Sequence, residues 1–372
     1  MTISAGLSSG TMGRHDMLRD VVMRSVTPVV VPLVALLCAM LVFAVFLLLL
    51  GKSPVDFYLL VLKAGFGTAF SWSNTLARAA PLLLAALCIA LPARLGLVVI
   101  GGEGAIVLGG LAAGVTAMML PGLPGLPGPV GIALMGLLAA VVGGLWIGAI
   151  GALRHYRGVN ETISSLLLAY IAIALMNHLV DGPLRDPASL NKPSTVPLPE
   201  TWRIGEIAGL GVHWGLVVGI AACILCWVLV ERTTWGFAAR IVGGNVRAAQ
   251  IQGLPAGLLI IGFTALGGAF AGLAGMFEVA AVHGSANASL AAGYGYTGIL
   301  IAFLARHNGL AIIPATILFA GFEASSGLVQ RRLDLPDATI VVFEGTVFIA
   351  ILISEAVQDR GPLKDLLQWR RA

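Results

Sequence analysis

The sequence predicts an all-α, polytopic membrane protein with about ten transmembrane helices, some of them broken or re-entrant. Three observations carry that prediction. Only 11% of the 372 residues are charged, against about 25% in soluble domains, too few to cover a soluble globule of this length. Hydrophobic residues make up 58% of the chain and its mean hydropathy is +0.96; at about 20 apolar residues per crossing, that is material for roughly ten spans. The long apolar runs, such as Val29–Leu50 and Gly131–Leu153, show none of the alternation that an outer-membrane barrel strand needs. The same balance excludes nucleic-acid readers, disordered scaffolds and disulfide frameworks, each of which needs charge, polarity or cysteine that this chain lacks.

Taken in order, residues 1–27 are polar or mixed, with Arg14, Arg19 and Arg24 set against Asp16 and Asp20. The run Pro28–Leu50 exceeds the roughly 7–15-residue core of a cleaved signal peptide and reads as a retained first span. Further spans are expected at 76–92, 97–120, 129–152, 162–180, 214–230, 257–282, 296–304, 311–328 and 339–356. The stretch 296–304 is too short for a hydrocarbon core about 30 Å thick, so it is a half-helix or borrows from Gly293–Gly295. Glycines also break the span that holds Gly101-Gly102-Glu103-Gly104. Broken backbone at membrane depth is tolerated only where protein or a water-filled cavity surrounds it, and paired interruptions point to a transport pathway.

With ten spans and a cytoplasmic N-terminus, 14 of the 22 Lys and Arg fall inside and 8 outside, and the tail Arg360–Arg371 is inside. The pI near 9.0 then reflects an inner-face bias. The pairs Gly110/Gly114, Gly144/Gly148 and Gly268/Gly272 have the small-residue spacing that lets helices pack closely within one chain. Cys38, Cys88, Cys223 and Cys226 all fall inside spans and read as small apolar residues, since no second Cys pair or nearby His completes a metal site. Trp72, Trp146, Trp202, Trp214 and Trp235 fall near span ends, as interface anchors do.

The loop Arg232–Pro255 carries the punctuation of a short helix over 246–252. Asn245 is placed to cap it, Ala248 and Ala249 favour it, Gly253 suits its end and Pro255 prevents continuation. A helix of about 10 Å is not stable alone. It either packs on the chain's own helix ends or serves as a docking knob for a cytoplasmic partner.

In this loop Gly236-x-x-x-Arg240-x-x-Gly243, followed by Ala248-Ala249-x-x-x-Gly253, resembles the coupling loop of ABC importer permeases. The branch serving sugars, nucleosides and branched-chain amino acids is the most similar. Gly101-Gly102-Glu103-Gly104 resembles that branch's N-I-G-G-E-G-Q. Arg157-Gly-Val-Asn-Glu-Thr-Ile-Ser-Ser165 resembles R-G-V-N-E-V-I-S-T, Gly182-Pro-Leu-Arg-Asp-Pro187 resembles G-P-L-x-D-P, and Leu304-Ala-Arg-His-Asn-Gly-Leu310 resembles L-G-R-N-N-P-L. Departures stand at Val99, Ala105, Ala169, His307 and Gly309. The motifs cover roughly residues 75–350.

The resemblance implies an ABC importer permease fold, with a permease domain over 28–356 between cytoplasmic segments 1–27 and 357–372. It implies a multi-pass protein of the bacterial cytoplasmic membrane with both termini inside. The solute would be a nucleoside, nucleobase or simple sugar. Coupling to the ATPase is implied for Gly236, Arg240, Gly243, Asn245, Arg247, Ala248, Ala249 and Gly253. The implied partners are ATP-binding subunits, a second identical or homologous permease and an extracytoplasmic solute-binding protein, all without nucleic acid. This chain takes no cofactor of its own; ATP and Mg belong to the partner subunits. Its one Gly-Lys-Ser, Gly51-Lys52-Ser53, has Phe46 where a phosphate loop needs glycine.

Intramembrane polar residues are suspects for function because burying charge in the bilayer is costly. Gly101, Gly102, Glu103 and Gly104, with Glu323 and Asn74, are the candidates for the substrate pathway; Glu103 either meets substrate between its glycines or accepts backbone hydrogen bonds and fixes the broken helix. Asn74 and Arg78 lie one helical turn apart, where they can pair with one of these carboxylates, or Arg78 can equally snorkel outward. Glu278 and His283 read as interfacial, and Glu344 as an inter-helix bond. An ion-driven secondary transporter using Glu103 and Glu323 is the competing reading, and a secondary carrier has no need of the capped loop helix. A membrane enzyme would need a nucleophile–base or metal constellation, and the scattered His residues offer none.

Overall fold

The computed structural model describes residues 34–119, 127–189 and 192–360. The expected segment 1–27, the first residues of the first span and the tail from 361 lie outside the described residues. The helices run in order α1 (Val34–Leu49), α2 (Pro54–Phe66), α3 (Ala69–Ala93), α4 (Gly102–Met119), α5 (Gly128–Arg157), α6 (Glu161–Asp181), α7 (Gly215–Arg232), α8 (Thr234–Gly244), α9 (Val246–Ile251), α10 (Ala256–Phe277), α11 (Tyr294–Leu304), α12 (Gly309–Leu333) and α13 (Ala338–Arg360). A short antiparallel hairpin, β1 (Glu206–Ile207) and β2 (Val212–His213), precedes α7. Among the described residues seven helices are long and apolar enough to cross a membrane, or eight counting α1 with α2. The shorter apolar helices Ala288–Leu304 and Ala338–Ser354 bring the apolar stretches to ten. The chain is an all-α polytopic membrane protein.

Two compact units divide it. One holds the described residues up to Pro54 and those from Gly345 onward. In it α1 buries Ala35, Ala39, Phe43 and Leu47, a stripe repeating every four residues. The other unit is Val55–Glu344. At its centre lie α3, α4 and α10: α3 packs on α7, α10, α11 and α12, while α4 packs on α5, α6 and α10. By contrast α5, α6 and α7 turn residues such as Leu137, Leu145, Ile163, Leu167 and Leu225 outward, as helices facing lipid do.

Glycine sets the closeness of α5 and α10. A Cβ on Gly272 would strike the carbonyl of Ala139, and one on Gly268 the carbonyl of Gly143. The small-residue pairs read from the sequence are therefore packing devices inside this chain. Trp202, expected as an interface anchor, is instead buried against Gly131 at the start of α5.

The expected span 97–120 differs at its start. Leu97–Ile100 is not helical, and α4 begins only at Gly102. The apolar letters of Leu97–Ile100 fit either conformation; hydrogen bonds from a distant helix decide it. The Thr162 hydroxyl donates to the Val98 carbonyl at 3.0 Å, and the Ile100 amide donates to the Ser165 hydroxyl at 3.0 Å. Unpaired backbone groups at membrane depth are thereby satisfied. Both side chains come from the Arg157–Ser165 motif, in which Gly158 closes α5 at φ 65° and Asn160 caps α6 by accepting from the Ile163 amide.

Candidate functional site

The broken backbone before α4 and the short helix α11 meet at one side chain. Glu103, in the first turn of α4, is 1% exposed. Its Oε1 accepts from the Gly293 amide at 2.7 Å and its Oε2 from the Gly295 amide at 2.6 Å. Gly293 precedes α11 in the left-handed region at φ 92° and offers no capping side chain of its own. The carboxyl group of another helix therefore supplies the cap, its two oxygens facing the positive end of the α11 dipole. The glycines around Glu103 are taken up by the protein itself. A Cβ on Gly101 would strike the Ser165 carbonyl, one on Gly104 would lie 2.8 Å from the Ala169 Cα, and Gly102 faces Cys88 and Gly295. The departures Val99, Ala105 and Ala169 are fully buried here as well.

A second polar group gathers where α3, α11, α12 and the end of α10 approach. Asn74 and Arg78 on α3 are both half-buried. The Arg78 charge acts on two carboxylates, Glu278 and Glu323. Glu278 is not solvated at a span end, as the sequence suggested, but buried within the protein. It opens a π-helical turn, Glu278–His283, and is 3% exposed. Its partners are the Tyr294 hydroxyl and, at 3.5 Å, Nδ1 of His283. Thr297 of α11 hydrogen-bonds Glu323 and lies 3.5 Å from Oε2 of Glu344, whose Oε1 is buried without a partner. One hydroxyl proton faces two carboxylates, so the group is short of donors. Sequence reading found Glu323, Asn74 and Arg78 but missed Tyr294 and Thr297, which carry no charge to mark them.

At the face bearing α8 and α9 the loop residues take defined places. Asn245 caps α9 by accepting from the Ala248 amide at 3.0 Å. The helix spans six residues where seven were expected, because Gln252 already departs from helical geometry. Gly253 follows at φ 78°. Ala249 is the sole buried residue of α9, whereas Arg247, Ala248 and Gln250 are exposed and Ile251 is 83% exposed. Gly236 and Gly243 serve close backbone approach: a Cβ on the first would strike the Val230 carbonyl, and one on the second would lie 2.6 Å from the Arg94 carbonyl. Arg240 pairs with Glu231 at 3.1 Å.

Two charged residues that the sequence did not single out complete this face. Glu231, near the end of α7, also pairs with Arg94 at 3.3 Å, and Arg94 donates to the His307 carbonyl at 2.8 Å. His307 and Arg306 form the turn between α11 and α12 with positive φ, 57° and 49°. Burial, and then the Arg94 charge, push the His307 imidazole down to about 4, so the ring is neutral at physiological pH. Burial likewise lowers Arg94, while Glu231 favours its charged form. Nothing local marked these residues, because charges at span ends ordinarily mean interface.

Comparison with known proteins agrees with this architecture. Residues 71–352 match the family described as the permease component of the branched-chain amino acid transport system. A glucose ABC transporter permease of Haloferax volcanii is 33% identical over 335 residues, 87% of each chain. A guanosine ABC transporter permease of Bacillus subtilis is 27% identical, covering 89% of this chain and 97% of the relative. A nucleoside ABC transporter permease of Lactococcus lactis is 26% identical, covering 90% and 97%. With its buried helix break, its capped short helix and this match, the chain belongs to the branched-chain amino acid transport permease family and is a membrane-spanning permease subunit of an ABC importer, a transport subunit rather than an enzyme.

Proposed function

We propose that this chain lines the pathway by which a nucleoside, nucleobase or simple sugar enters the cell, driven by ATP hydrolysed on separate subunits. One observation carries the coupling part. The helix α9 buries only Ala249 and holds Ile251 outward, a short capped rod whose remaining surface is open to a partner. ATP and Mg would be bound by that partner, and closure of the ATP-binding subunits would push α9 and rock the helices above it. A second permease would complete the pathway, and an extracytoplasmic binding protein would deliver the solute to the opposite face. Both termini would then be cytoplasmic, in keeping with the Lys and Arg distribution. The relatives described as glucose, guanosine and nucleoside permeases support the solute class.

Asn74 and Glu323 are the pathway residues in this reading, whereas Gly101, Gly102 and Gly104, expected beside the solute, pack against Ser165, Cys88, Gly295 and Ala169 and would support the pathway from behind. Glu103 would act through α11, since both its oxygens are already engaged by backbone amides. Uptake in vesicles holding the full transporter tests the proposal. Ala249→Glu, or deletion of 250–252, is expected to abolish uptake while the chain still inserts. Normal uptake in either variant, or uptake by the chain alone on an ion gradient, would contradict it. Melting of the binding protein against nucleosides, purines and sugars then identifies the cargo.

A further inference from the structure

Resting on that coupling reading, we propose that Glu231 is a positioning residue of the transport cycle: it ties the coupling loop to Arg94 and, through Arg94, to the α11–α12 turn, so that motion of α8 and α9 reaches the half-helix α11. The carboxylate is shared between two arginines from different elements. Oε2 lies 3.1 Å from Nη1 of Arg240 on α8, and Oε1 lies 3.3 Å from Nη2 of Arg94, which closes α3. The same Nη2 donates to the His307 carbonyl at 2.8 Å. A single guanidinium nitrogen thus joins the acid of α7, which also holds Arg240 of the loop, to the turn.

The turn is a place where displacement would be felt. Arg306 and His307 are consecutive residues with side chains held at φ 49° and 57°, a conformation costing on the order of 1 kcal/mol each that persists only where neighbours enforce it. Arg94 is one enforcer, and the His307 amide on the Ala302 carbonyl at 2.8 Å is another. From this turn α11 runs back for 11 residues to the amides gripped by Glu103. The short helix is therefore held at both ends by hydrogen bonds with ionisable side chains, one belonging to the break before α4 and the other to the coupling face. Backbone packing of Gly243 on Arg94 and Leu95 anchors the loop to α3 as well. That contact is between backbones and involves no side-chain charge, so a change in the charge of Glu231 separates the two links.

The test uses proteoliposomes holding this chain, its companion permease and the ATP-binding subunits, with binding protein loaded with guanosine or with glucose. Basal ATP hydrolysis, its stimulation by loaded binding protein, and uptake are measured for wild type, Glu231→Gln, Arg94→Met and the double variant. Glu231→Gln is expected to assemble and to keep basal hydrolysis, yet to lose stimulation and about tenfold of uptake, within the range for residues along a coupling route. The double variant should transport no worse than the weaker single one, because both break the same link. Wild-type uptake with stimulated hydrolysis in Glu231→Gln, or losses that multiply in the double variant, would overturn the proposal. So would failure of Glu231→Gln to capture the ATP-binding subunits, since the residue would then build the docking face itself. A wild-type complex that takes up solute without ATP refutes the parent reading instead, whatever the variants do.

Discussion

The Glu103 carboxylate and the Gly295 amide meet at 2.6 Å across 192 residues of sequence. That contact joins the first turn of α4 to the first turn of α11 and leaves neither oxygen of Glu103 free, because the Gly293 amide takes the other. A buried acid in a membrane protein is usually read as a solute or ion ligand. In this chain it is first of all a helix cap.

Replacing Glu103 by Ala removes both acceptors and strands two buried amides. Each buried donor left unsatisfied costs about 1–3 kcal/mol, so a loss of about 3 kcal/mol is expected, with uptake abolished. Glu103→Gln keeps one carbonyl acceptor and should fall between. Thermal unfolding of the purified chain in detergent measures the difference; an Ala variant that melts with wild type would remove the capping role.

Two glycines of α10 should respond with opposite signs. Gly272→Ala places a methyl against the Ala139 carbonyl, where neither backbone can yield, and is expected to cost about 3 kcal/mol. Gly262 has nothing within 4 Å of its would-be Cβ, so Gly262→Ala gains helix propensity of about 1 kcal/mol. Paired melting curves check both; a Gly272→Ala protein no less stable than wild type would contradict the close α5–α10 packing.

Asn245→Ala removes the acceptor of the Ala248 amide and should weaken α9 by about 1 kcal/mol. Because α9 is only six residues long, that loss should reach its partner. Capture of the ATP-binding subunits is expected to fall several-fold while the membrane part melts unchanged. Asn245→Asp, which also caps well, should restore capture.

His307 gives the protein a pH-dependent weakness. Its imidazole is held down to about 4 in the folded chain, against about 6.5 when unfolded. Between those values the unfolded chain binds the extra proton. Stability is therefore full above about pH 6.5 and falls as pH drops towards 4. His307→Asn, which has no such proton and tolerates positive φ, should shrink the fall in melting temperature between pH 7 and pH 5. An undiminished fall would assign it to other groups.

Local signals proved the most legible. The capped helix α9 could be read because Asn245, Gly253 and Pro255 act within a few residues of it, and the Gly268/Gly272 spacing because helix periodicity fixes which residues share a face. Conformation settled by distant partners could not be read. Nothing in Leu97–Ile100 distinguishes extended chain from helix, and Thr162 and Ser165 decide it from across the sequence. Glu278 was misplaced for a related reason: a π-turn alters the helix period just where the span ends, and Tyr294 covers the acid. Arg94 and Glu231 lie at ordinary span ends, and only the folded chain brings them within 3.3 Å.

The grip of Glu103 on Gly293 and Gly295 has a consequence for synthesis. The acid leaves the ribosome about 190 residues ahead of its donors, which at about 5–20 residues per second is a delay of roughly 10–40 s. During that interval α4 carries the acid without its two amide donors, which makes its entry into lipid more costly. The α4–α11 join at Glu103 is therefore among the late contacts of this permease to form, whatever the order in which its spans enter the bilayer.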